Sequence, residues 1–160
     1  MREEGKELEK KGKNNERFGK PIGIFELEVI DKKTGKVLET RKVKNLVVNG
    51  GKTIIRNGFY SRKYWNEILS EIGIGKNGTA PTVEDTDLIE PYRKQSCSQE
   101  WDDVNKRRVA EALFTDFTET VNICEAGVYT SNDILFNRVT FASVEVSPTK
   151  NLRVKVYIIP

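Results

Sequence analysis

The chain contains no histidine, and that absence removes a large share of enzyme chemistry. Serine and cysteine nucleophiles activated by an imidazole are excluded, and so are zinc sites that use one. Only two cysteines, Cys97 and Cys124, occur in the 160 residues. Two thiols without histidine cannot complete a metal centre, so no metal is expected and both are expected to be free and half-buried. No apolar run approaches the roughly 20 residues that a membrane-spanning helix needs. The opening residues, MREEGKELEKKGKNNER, carry no apolar signal core, so synthesis in the cytosol and no membrane partner are expected.

What is present is charge. Lys, Arg, Asp and Glu make up 32% of the chain and hydrophobic residues only 37%, which fits one domain with a thin core and much solvated surface. The net charge of +3 comes from bases interleaved with acids, so no nucleic-acid partner is expected. A surface rich in lysine and glutamate is also what thermophile proteins carry, and a hot source is the corresponding expectation.

The pattern divides at residue 20. Residues 1–20 are almost wholly charged or amide-bearing and offer no face to bury, which predicts a flexible or assembly arm. Residues 21–160 read as a single domain. IGIFELEVI alternates Phe25, Leu27 and Val29 with Glu26 and Glu28, the mark of a half-buried strand, and DKKTG supplies a turn into KVLETRKV. The 22–30 strand is expected at a sheet edge, open to a neighbour. NLVVNGG extends to a turn at Asn49-Gly50-Gly51. Ile54, Ile55, Tyr64, Trp65, Ile68 and Leu69 then have helical spacing in two pieces, which predicts one or two short helices.

The rest is strand after strand. IEPYRKQSCSQEW reads as extended, followed by RVAEALFTDF, VNICEAGVYT, DILFNRVTFASVEV and LRVKVYIIP. In the last, Leu152, Val154, Val156 and Ile158 share one face, with Arg153 and Lys155 on the other. This succession predicts a mainly β fold, an antiparallel β-sandwich with one or two short helices and an extended charged N-terminal arm.

GIGKNG at 73–78 has the glycine spacing of a dinucleotide-binding loop. That loop must run into a helix, and Pro81 with the polar TAPTVEDTD loop forbids one. No cofactor is expected. Gly73, Gly75 and Gly78, and Gly127 further on, instead read as glycines of tight turns and close backbone approach. The acids of TAPTVEDTD lack calcium-loop spacing and read as a solvated loop.

EAGVYTSNDILFNR at 125–138 carries the clearest internal register. A turn centred on Ser131-Asn132 places Glu125 opposite Arg138, Gly127 opposite Phe136 and Val128 opposite Leu135. An ion pair and an apolar pair then meet on one hairpin. Glu125 and Arg138 are expected as a structural cross-strand pair on one face. Catalysis by them is not expected, since the arginine would occupy the carboxylate as a hydrogen-bond acceptor.

Four of these stretches, NLVVNGGKTII, IGIGKNGTAPTVEDTDL, EAGVY and LFNRVTF, closed by a last apolar strand, resemble a module of structural proteins of tailed bacteriophages and related viruses. Order and rough spacing agree over 45–159, and Arg93 after Glu90 sits where that family often places an arginine. The first 44 residues depart from the pattern. The resemblance implies a β-sandwich in the tail, collar, baseplate or fibre region of a virion, oligomeric and not an enzyme. Its partners would be other virion proteins and copies of itself. A capsid decoration protein is the nearest alternative. A carbohydrate- or receptor-binding domain is another, if Tyr60, Tyr64, Trp65 or Trp101 is exposed to stack on a ligand. A carboxylate glycosidase would need two acids facing one cleft, and no such pair stands out.

Overall fold

A computed structural model describes residues 22–58 and 69–159. The charged arm at 1–20, the expected helical residues Tyr64, Trp65 and Ile68, and the candidate stacking residue Tyr60 lie outside the described residues.

The chain is mainly β, as its pattern predicts. The strands are β1 (Ile22–Asp31), β2 (Val37–Val47), β3 (Leu69–Gly75), β4 (Pro91–Ser96), β5 (Ser98–Asp102), β6 (Arg107–Phe114), β7 (Val121–Thr130), β8 (Leu135–Val146) and β9 (Lys150–Ile159). One short helix, α1 (Asn49–Gly58), is described. All pairings are antiparallel and build two sheets, β5-β6-β9-β1-β2 and β4-β3-β7-β8.

Two strand switches join the layers. β2 pairs with β1 up to Asn45 and then, through Leu46 and Val47, with β8 in the other sheet. β4 and β5 are separated by Cys97 alone, yet β4 pairs with β3 and β5 with β6. The bend is held by the Cys97 N–H, which donates to the Ser70 carbonyl at 3.0 Å. The stretch expected as one extended run is therefore two strands in two sheets.

Between the sheets lies one apolar core. Phe25, Leu27 and Val29 of β1 meet Ala110, Ala112 and Phe114 of β6 and the alternate residues Leu152, Val154, Val156 and Ile158 of β9. Ile72, Ile74, Ile123, Ala126, Val128, Phe136 and Val139 face them from the second sheet. The β1–β2 hairpin turns as DKKTG predicts. The Asp31 carboxylate accepts the Lys33 N–H at 2.8 Å, and Gly35 adopts the left-handed φ of 74° that the turn requires.

Three expectations are corrected. The 22–30 strand is not an edge, because β1 lies between β2 and β9 and buries three alternate apolar residues. Leu69 does not end a helix but starts β3, opposite Thr130. Asn49-Gly50-Gly51 is not a turn but the first turn of α1. A Cβ on Gly51 would run into the Phe136 carbonyl, so these glycines bring the helix against β8.

Candidate functional site

The feature that sequence reasoning singled out lies on the outer face of the second sheet, beneath the loop 76–90. Two bulges prepare it. In β7 the register shifts between Ile123 and Glu125, so Ile123 and Ala126 both enter the core while Glu125 turns to the opposite face. A second shift follows Val128, where Phe136 is passed over and the Asn137 side chain accepts the Val128 N–H at 3.2 Å.

The second bulge, with a turn one residue longer than expected, corrects the hairpin register. Arg138 lies opposite Gly127, and Glu125 opposite Thr140. Tyr129, not Val128, faces Leu135. The turn lies at the expected place but is one residue longer: Thr130 N–H is bonded to the Ile134 carbonyl and Asp133 N–H to the Thr130 carbonyl, with Asp133 at a left-handed φ of 61°. Glu125 and Arg138 still share a face and meet diagonally, Arg138 Nη2 donating to Glu125 Oε2 at 3.2 Å with both side chains 0% exposed.

Arg138 does more than pair with one acid. Its Nη1 donates to Asp85 Oδ2 at 3.1 Å, and its Nη2 also reaches the carbonyls of Thr79 at 3.0 Å and Asn77 at 3.4 Å. Glu125 Oε1 accepts the Glu90 N–H at 3.2 Å. One buried guanidinium and one buried carboxylate thus hold both ends of the loop. Asp85 in turn accepts the Thr82 N–H and hydroxyl, each at 3.0 Å. Burial works to raise the Asp85 carboxyl, but the bonds from Thr82 and Arg138 outweigh it and hold it below its ordinary 3.8.

An apolar plug completes the attachment. Leu88 packs with Val48, Tyr129 and Leu135 in a small cluster of its own. The Tyr129 hydroxyl donates to Asp87 Oδ1, and burial, then that bond, push the phenol well above its usual range. The glycines make room for this layer. A Cβ on Gly73 would fall 2.9 Å from the Tyr129 ring and 3.2 Å from Leu88, and one on Gly127 3.1 Å from Leu88. On Gly75 it would lie 2.5 Å from Glu125 Oε1 and 2.6 Å from the Glu90 carbonyl.

None of these glycines has a positive φ. They are close-approach positions in β3 and β7 and not tight-turn residues, which corrects that part of the expectation. Gly78 meets only Cys124 Sγ at 3.8 Å and does neither job.

Arg93 works on the other side of β4. Its guanidinium donates to the carbonyls of Thr115 and Asp116 and lies 4.7 Å from the Phe117 ring, tying β4 to the end of β6 across the sandwich. Cys97 and Cys124 are free and half-buried. Burial raises the Cys97 thiol to about 11; burial, then Glu125 and Glu90, raise Cys124.

The arrangement is a fastening. The carboxylates of Glu125, Asp85 and Asp87 accept hydrogen bonds from groups that hold the loop, and Glu90 takes part through its backbone N–H. Sequence reasoning missed Asp85, Asp87 and Glu90 as members of it. A signal was there: between Lys76 and Arg93 the chain has four acids and no base, while Arg138 is the one charge in the apolar run ILFNRVTF. One of those acids, Asp85, is the loop's partner for this cation.

A second concavity lies on the β5–β6 hairpin. It is an open groove of about 370 Å³ lined by acids, Trp101, Arg107 and Tyr157. Arg107 lies over the Tyr157 ring at 4.0 Å and binds Asp102 at 3.1 Å. Hydrogen bonds from Asn105, then Arg107, hold the Asp102 carboxyl below its usual value. Trp101 is 42% exposed. The chain matches no family model, no curated protein and no solved structure.

Proposed function

We propose that this chain is a structural component of a tailed-virus particle. It sits in the tail, collar or fibre region of the virion and works by docking on other particle proteins and on copies of itself. The reading rests on the resemblance of NLVVNGGKTII, IGIGKNGTAPTVEDTDL, EAGVY and LFNRVTF to that family's module.

One observation carries it furthest. The four stretches, far apart in the chain, meet at a single place. Val48 and the α1 glycines come from the first, Gly73, Gly75, Asp85 and Leu88 from the second, Glu125, Gly127 and Tyr129 from the third, and Leu135 and Arg138 from the fourth. Together they fix the shape of a long surface loop. A loop held by buried ion pairs presents a rigid surface to a partner without an ordering cost at binding.

Mass spectrometry of purified particles tests the proposal. The chain is expected in washed virions at a copy number set by the symmetry of a tail or collar ring, and a particle map should place it there. Its absence from particles overturns the reading.

The groove beside Trp101 favours a second reading, binding of a carbohydrate through aromatic stacking and carboxylate acceptors. A glycan array probed with the full chain should then give hits that Trp101→Ala abolishes. An array without hits removes this reading.

A further inference from the structure

The outer face of the first sheet carries its charges in a regular order. Across β6, β9, β1 and β2, the directly opposed residues of one row are Glu111, Lys155, Glu26 and Lys42. The sign alternates at every step. In the next row Arg153 lies opposite Glu28, and Arg153 also bonds Glu111 at 3.1 Å. All of these side chains are exposed or half-buried.

An alternating row of even length matches its own reverse. Consider a two-fold axis parallel to the strands, passing between β9 and β1. It exchanges β9 with β1 and β6 with β2, and leaves each row at its own level. A second copy laid face to face then sets Glu111 against Lys42, Lys155 against Glu26 and Arg153 against Glu28. Each contact occurs twice, and no like charges are opposed. An axis across the strands, along the charged row, would instead stack each residue of that row on itself, acid on acid and base on base.

We propose that this face is a homodimer interface with its two-fold axis parallel to the strands. Sheets packed face to face keep their strand directions within about 30° of one another, which this axis satisfies. The four strands that overlap, about 4.8 Å apart over a run of about eight residues, offer roughly 500 Å² per copy. Two such patches make about 1,000 Å², the size of a weak, reversible interface. The attraction is between solvated charges, so the dimer weakens as salt rises. The inference does not depend on the particle reading, because it is measured on the purified chain.

Two charge variants of the full chain test it in sedimentation runs. Lys155→Glu with Arg153→Glu makes an acidic face, and Glu26→Lys with Glu28→Lys a basic one. The unaltered chain is expected as a dimer at low salt and a monomer at high salt. Each variant alone is expected to lose the dimer, and their equimolar mixture to regain it. A monomer at low salt, a variant that dimerises alone, or a mixture that stays monomeric overturns the proposal. Circular dichroism confirms folding of each variant. If a charge-reversed chain fails to fold, the neutral double variant Lys155→Gln with Glu26→Gln replaces it. That variant should weaken the dimer at least about tenfold, and an unchanged dimer overturns the proposal.

Discussion

Arg138 and Glu125 form a fully buried ion pair at 3.2 Å although they are not opposite one another in their hairpin. Arg138 faces Gly127 and Glu125 faces Thr140, so the guanidinium crosses diagonally to reach Glu125 and the loop above it. The pair is thus diagonal, and it acts as the centre of a network instead of a local cross-strand contact. Removing one member leaves the other charged and desolvated. Arg138→Ala is expected to destabilise the chain by about 3–5 kcal/mol, read from urea unfolding. Arg138→Met combined with Glu125→Leu should cost less than the single change, since it removes both buried charges. A loss under about 1 kcal/mol for Arg138→Ala would mean that the clamp does not hold the fold.

The glycines make a graded series. Gly75→Ala pushes a methyl into Glu125 and the Glu90 carbonyl, and is expected to cost about 1–3 kcal/mol. Gly35→Ala places a side chain at φ 74°, a strain of about 1–2 kcal/mol. Gly78→Ala meets only an ordinary contact and should be neutral or stabilise slightly. Thermal melting of the three variants should give that order, with Gly78→Ala at the top.

Acid should release the loop. Asp85 has its folded pKa below the ordinary 3.8, so its bonds to Thr82 and Arg138 add stability above that value. The contribution disappears as the pH falls through the lowered folded value. Amide hydrogen exchange of residues 76–90, followed from about pH 5 to about pH 2 and corrected for intrinsic rates, should show protection lost at the acid end. Asp85→Asn should flatten this dependence while the sandwich core keeps its protection.

The thiols should be slow. With its thiol raised to about 11, Cys97 is ionised in roughly one molecule in a thousand at about pH 8. Alkylation by iodoacetamide, timed by mass spectrometry, should lag far behind a free cysteine peptide and accelerate on unfolding. Cys124, less deeply buried and also raised, should react after the free peptide but before Cys97.

Much of this protein follows from local pattern. The period-two alternation of IGIFELEVI and LRVKVYIIP decides which residues enter the core, because a strand sends successive side chains to opposite faces. DKKTG specifies its turn, since Asp31 caps it and Gly35 accepts the left-handed φ. Glu125 and Arg138 were legible as partners, being unlike charges on one hairpin with a visible turn. What the tertiary structure decided depends on distant chain. β1 became a central strand only because β9 pairs along its other edge. Ser98 left the sheet of Ser96 because Cys97 bends against Ser70. The register of Arg138 shifted because the turn holds one residue more than expected and a bulge after Val128 passes over Phe136, which moves the partners that simple alternation would have paired. Asp85 and Glu90 joined the clamp for the same reason: a loop finds its cation by folding over the sheet, and no spacing along the chain encodes that meeting.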